Sequence, residues 1–208
     1  MGVTVLQTFP IVEGKTGPYT IDLLSTRITA LGAVKKDIFI VDCETFTQPT
    51  AIPNVAPRSV NVLHDSEMPV SVFSLLDTGT KIVPLVADSL FDLLMLKMAP
   101  WYVPKKNLKI ESKGPRFEAG DFIVKLGSVS MGGHFKGILV EVEYTACCVP
   151  QACWDLMKEF IQGFLGSHGL TAPPQAMQTR MNDIFQPIDK ISQYLEHFNL
   201  FRKTTSVR

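Results

Sequence analysis

Glu141 and Glu143 lie one residue apart in the segment GILVEVEY, 137–144. On a strand, residues two apart share a face. If that face lined the interior of a barrel, the two carboxylates would offer hard oxygen ligands to a divalent cation. Asp42 and Glu44 repeat the spacing on another strand-like segment. Two such pairs in one barrel, with lysines and arginines pointing inward, would suit metal-dependent phosphate chemistry. The plainer reading is that all four acids point to water, because alternation puts acids at i and i+2 on any wet face. A second Glu-x-Glu and an ordered basic set are missing.

The remaining reactive residue types form no constellation. His64-Asp65-Ser66-Glu67 contains the members of a hydrolytic triad, but neighbours on a strand point to opposite faces, so the run reads as a strand end and turn before Pro69. Cys43 sits among core-like neighbours, which favours burial over nucleophilic use. The four cysteines, Cys43, Cys147, Cys148 and Cys153, contain no C-x-x-C pair and read as core thiols of a reducing compartment. No phosphate loop, dinucleotide fingerprint or nucleophile elbow is present. Neither a metal nor a cofactor is expected. Trp101 and Tyr102 fall in a loop and Phe135 at a hairpin tip, positions from which aromatics often anchor a partner or fold back onto their own core.

The elements that would position these residues are mostly strands. Residues 121–144 predict two long strands around the turn Met131-Gly132-Gly133-His134. Phe122, Val124 and Leu126 share one face, with Asp121 and Lys125 opposite; Ile138, Val140, Val142 and Tyr144 oppose Glu141 and Glu143. This alternation predicts one dry face and one wet or polar face. Further strands are expected at 2–9, 37–46, 59–64, 69–76 and 81–87, with a strand pair over 107–118 turning at Lys113-Gly114-Pro115. The segments 69–76 and 81–87 are apolar on both faces and predict cover on both sides, although Pro84 demotes part of the second to an edge or bulge.

Helices are expected at 19–31, from Asp88 or Ser89 to Met98, at 150–165, and from Pro187. The second is apolar all round, so it should be buried in this chain or against another. The fourth carries Ile188, Ile191, Leu195 and Phe198 on one face, and docking on the barrel is its better reading. Residues 48–58, with three prolines, read as a surface loop. The expected fold is therefore α+β, an antiparallel β-barrel of about eight strands with flanking helices. The division is a barrel unit over 1–168, a linker over 169–186, and a C-terminal helix with a polar tail over 187–208.

Lys and Arg number 20 and Asp and Glu number 20, for a net charge of zero, which argues against direct nucleic-acid binding. Hydrophobic content of 46% suffices for a sizeable core. Mean hydropathy of +0.17 is slightly apolar, as if a partner covered part of the surface. The longest apolar runs are too short to span a bilayer, and MGVTVLQTFP lacks the pattern of a secretory leader, so no membrane association is expected.

Several segments in order resemble one family. They are Met1-Gly-Val-Thr, Leu31-Gly-Ala through Val41-Asp-Cys-Glu-Thr45, His64-Asp-Ser-Glu67 with Pro69, and Phe91-Asp-Leu-Leu-Met-Leu-Lys97. Asp121-Phe-Ile-Val-Lys-Leu-Gly127, Gly137-Ile-Leu-Val-Glu-Val-Glu-Tyr144, Cys153-Trp154 and Phe164-Leu-Gly-Ser-His168 follow. Their order is similar to that of the Mediator subunit 20 (TRF-proximal protein) family. The resemblance implies a non-catalytic subunit of the Mediator head module, a nuclear coactivator scaffold between regulators and RNA polymerase II. It implies a heterodimer with Mediator subunit 18, whose barrel is similar, and a tether through subunit 8. It also implies a likeness to tunnel-shaped RNA triphosphatases. The alternative is a metal-dependent tunnel-type phosphohydrolase using Glu141 and Glu143. A third reading is a barrel that binds a small apolar ligand in an open lumen.

Overall fold

The computed structural model describes residues 2–49 and 58–205; the expected loop at 48–58 falls largely outside them. In chain order the elements are β1 (Val3–Phe9), α1 (Gly17–Ala30), β2 (Val34–Thr47), β3 (Ser59–Asp65), β4 (Ser71–Asp77) and β5 (Ile82–Asp88). Then come α2 (Leu90–Lys97), β6 (Val103–Pro104), β7 (Ile110–Ala119), β8 (Phe122–Met131) and β9 (His134–Tyr144). The helices α3 (Pro150–Leu165), α4 (Gln175–Gln178) and α5 (Pro187–Thr205) follow.

All strands join one antiparallel sheet in the order β1-β9-β8-β7-β2-β3-β4-β5, with two-residue β6 beside β2. The strand count and direction match the expected α+β architecture. The barrel is looser than expected: among the described residues β1 and β5 do not pair, so the sheet stays open. Helix α5 packs against β1 at one end of this order and against β4 and β5 at the other. It therefore occupies space that direct strand-to-strand closure would need.

Both faces of the sheet are covered. One carries Val5, Phe117, Val124, Ile138, Val140 and Val142 into a core closed by α1 and α3. On α3, Trp154, Met157, Ile161 and Phe164 recur at helical spacing and are buried, and the Phe160 ring stacks on Phe122 with centroids 3.9 Å apart. The other face carries Leu6, Phe39, Val41, Leu63, Phe73 and Leu139 against Ile191, Tyr194, Leu195 and Phe198 of α5. A third, smaller cluster seats α2 by Met95 and Phe91 on Val60, Val62 and Val72.

Two sequence expectations fail here. The face of β8 and β9 expected to be wet or polar is polar, carrying Lys125, Glu141 and Glu143, but it is not wet, because α5 lies on it. The turn expected at Lys113-Gly114-Pro115 is the interior of one continuous strand, β7. Gly114 sits there because a Cβ would lie 1.9 Å from the Leu126 carbonyl oxygen, and the irregularity falls instead on the partner strand between Lys35 and Ile38. The β8–β9 turn forms where expected, with Gly132 at φ 57° and Gly133 at φ 81°.

Candidate functional site

Alternation on β9 places Glu141 and Glu143 on the α5 face, and both are buried, at 1% and 5% exposure. The solvent reading of this pair is therefore wrong. Asp42 and Glu44 project from the opposite face of β2 toward the α2 side, so the two acidic pairs do not converge. One Glu141 oxygen accepts from Lys125 Nζ at 2.8 Å, and the other accepts from the Tyr194 phenol. Lys125, which has no exposed side-chain surface, also donates to Glu67 at 2.5 Å; Glu67 in turn takes Arg116 Nε at 2.8 Å. Beside this chain, Lys190 of α5 donates to the buried carboxylate of Asp65 at 2.5 Å. Glu143 accepts the Gly2 amide at 2.6 Å.

The electrostatics keep Glu141 and Lys125 ionised. Burial works against the charge of Glu141, but Lys125 and then Lys190 outweigh it and hold the carboxyl below its ordinary range. Burial likewise opposes charge on Lys125, yet Glu141, Glu67 and Asp65 together hold it above its ordinary range. Burial pushes the Tyr194 phenol up, and Glu141 adds to that, so the phenol remains a proton donor. The oxygens that would bind a cation are thus already occupied by ammonium and hydroxyl donors. Among the described residues no group of three or more His, Cys, Asp or Glu side chains is placed to hold a metal ion. The lumen reading also loses its space: Val124, Val140 and Val142 lie on the other face, and α5 fills the face an open lumen would need.

The edge of β1 is closed by the same helix. Gln193 accepts the Leu6 amide at 3.0 Å and donates to the Thr4 carbonyl at 2.9 Å, while His197 Nε2 lies 3.2 Å from the Leu6 carbonyl. Side chains of α5 thereby take the place of a tenth strand.

His64 and Asp65 point to opposite faces, as their adjacency on a strand requires. His64 Nδ1 lies 3.4 Å from Asp42, and its Nε2 lies 3.1 Å from Asp92 of α2, so the imidazole clips α2 to the sheet. The Asp42 hydrogen bond is the main cause that raises the His64 pKa to about 9. Because the folded value exceeds the ordinary one, the stabilisation is full below about pH 6.5 and is lost as pH rises through about 9. NMR titration should follow His64 through a midpoint near pH 9, and Asp42→Asn should move that midpoint down.

The aromatic candidates separate. Trp101 is 70% exposed, Tyr102 packs on the α2 cluster, and Phe135, 39% exposed, covers Gly17, where a Cβ would lie 2.4 Å from its ring. Cys43 and Cys153 are buried as expected, but Cys148 is exposed. Sequence reasoning missed Lys125, Lys190 and Tyr194. Their only signal was polar atoms at positions where a helix or strand otherwise runs apolar. It also expected cover on both sides of β5, and among the described residues that strand touches α5 and α2 but stays largely exposed. Among the described residues the apolar helix α2 fully buries Met95 alone, with Phe91 partly buried beside it.

These features define an antiparallel-sheet protein whose buried Glu141 and Asp65 bind Tyr194 and Lys190 of its own last helix and whose β5 and α2 expose apolar side chains. The sequence comparisons agree on its family. The model of the family described as TATA-binding related factor (TRF) of subunit 20 of Mediator complex matches residues 1–199. The Mediator of RNA polymerase II transcription subunit 20 of Aedes aegypti is 56% identical, over 99% of this chain and 97% of its own. The corresponding proteins of Drosophila melanogaster and Gallus gallus are 51% and 42% identical, over 98% and 100% of this chain and 87% and 97% of theirs. The chain belongs to the Mediator subunit 20 family. Among solved structures, a Hippeastrum protein with a dominant triphosphatase activity is similar at TM-score 0.48 and 10% identity, over 90% of this chain and 99% of its own. A Pyrococcus horikoshii protein is similar at TM-score 0.46 and 12% identity, over 79% and 90%.

Proposed function

We propose that this chain is a non-catalytic subunit of the Mediator coactivator, working in the nucleus as part of the scaffold between transcriptional regulators and RNA polymerase II. In this reading it sits in the head module, pairs with Mediator subunit 18, is tethered through subunit 8, and does not bind nucleic acid directly. A barrel unit over 1–168, a linker over 169–186 and a docking helix over 187–208 is the division that goes with it. The observation that carries the reading is family membership over nearly the whole chain. Zero net charge and the internal pairing of the buried Glu141 with Lys125 and Tyr194 accord with it. Trp101 is the interface candidate with the most open surface; Tyr102 and Phe135 would act mainly by supporting their surroundings.

Affinity capture of a tagged chain from nuclear extract tests this. Subunit 18 and other Mediator subunits are expected to co-purify in near-equal amounts. Their absence from the captured fraction, with the chain folded, would contradict it.

A further inference from the structure

The two ends of the sheet are treated differently. At β1, α5 supplies side chains to the backbone edge. At β5 nothing does: among the described residues β5 pairs only with β4. Natural edge strands are ordinarily protected by charges, bulges or cover. The run Ile82–Asp88 has no charge before its last residue, and its one protective feature is Pro84, which lacks a donor.

The exposed side chains lie on both faces of this strand. Register places Val86 opposite Phe73, on the α5 face, with Ile82 on the same side; Val83 opposite Leu76 and Leu85 opposite Ser74 lie on the α2 face. All four are between 38% and 54% exposed. Next to them, α2 turns Met95 inward and leaves Leu90, Leu93, Leu94 and Leu96 between 47% and 72% exposed. At roughly 140 Å² per fully exposed aliphatic side chain, these eight residues leave on the order of 600 Å² of apolar surface open, most of one partner's share of a standard stable interface.

The shape of this surface selects its occupant. A helix laid on either face of β5 would cover only two of its four apolar side chains and leave the backbone edge bare. An added strand satisfies the edge amides and carbonyls and places side chains beside both faces at once. Self-pairing of β5 centred on Leu85 would set Pro84 against Val86 twice and forfeit a donor in each copy, whereas a foreign strand meets Pro84 once. We propose that β5 receives an extended, apolar strand from a partner protein, antiparallel or parallel, with the outer face of α2 packing on that partner's adjoining surface. The proposal rests on the functional reading above and specifies how its heterodimer forms.

The test uses the full chain with Mediator subunit 18. Val86→Lys on the strand and Leu93→Glu on the helix alter exposed positions and should melt like the unaltered chain. Each is expected to weaken the complex by roughly thirtyfold or more. Hydrogen exchange should show amides within 82–88 slowing when the partner is added, beyond those already bonded to β4. If the unaltered chain binds and both variants bind equally well, strand addition at β5 is wrong while the functional reading stands. Loss of binding without slowing of those amides also overturns it, in favour of face docking. If the unaltered chain alone runs as a dimer that Val86→Lys dissolves, the edge belongs to a second copy and the proposal fails. If the unaltered chain forms no complex with subunit 18, the functional reading fails first.

Discussion

Replacing Lys125 by alanine is expected to lower the free energy of unfolding by about 3–5 kcal/mol, because it leaves the Glu141 carboxylate buried and short of its nearest cation. Lys125 is fully buried and Glu141 is 1% exposed, so truncation leaves a desolvated carboxylate without its ammonium partner. The paired charge is not itself a large net gain, since desolvating both ions offsets much of their attraction. The double variant Lys125→Met with Glu141→Leu should therefore recover most of the loss. Urea denaturation of the three proteins checks this. A single variant within about 0.5 kcal/mol of the unaltered chain, the scatter typical of surface changes, would mean that the network is wet and that α5 does not seal this face.

The second large effect is expected at Phe198. Its side chain is fully buried, lies 5.7 Å from the Tyr194 ring between centroids, and belongs to the cluster through which α5 covers the sheet. Phe198→Ala should cost about 3–5 kcal/mol, as lost burial and the cavity left behind add together. Leu200, two residues on and half-exposed, should tolerate alanine within about 0.5 kcal/mol. The pair of thermal unfolding curves reads the orientation of α5 directly. Equal effects at both positions would place the helix in a different rotation.

The sequence made much of the fold legible because local rules and the fold agree there. Gly132 and Gly133 mark the β8–β9 turn, period-two alternation names the faces of both strands, and the stripe from Trp154 to Leu165 identifies α3. Alternation, however, reports which residues share a face, not whether something lies on it. Lys125, Glu141 and Glu143 look like wet-face residues until α5, which begins more than forty positions after Glu143, covers them. Nothing local to β9 records that event, though Lys190 and Gln193 inside an otherwise apolar helix stripe are its trace. The converse error occurs at β5 and α2. Their apolar residues on all sides predict cover, and among the described residues that cover is partial, leaving most of them exposed. Gly114-Pro115 misled for a third reason: the same dipeptide that favours a turn also permits the close backbone approach that β7 needs.

The central claim is that this protein works through external apolar surface, while its buried carboxylates only hold it together. Activator-dependent transcription in a nuclear extract depleted of the chain separates these roles. Glu141→Gln removes the carboxylate charge but leaves Lys125 its contact with Glu67, and adding it back should restore transcription as the unaltered chain does. Adding back the Val86→Lys, Leu93→Glu double variant should not, although it folds. Restoration by the surface variant, with failure of a folded Glu141→Gln protein, would contradict the account.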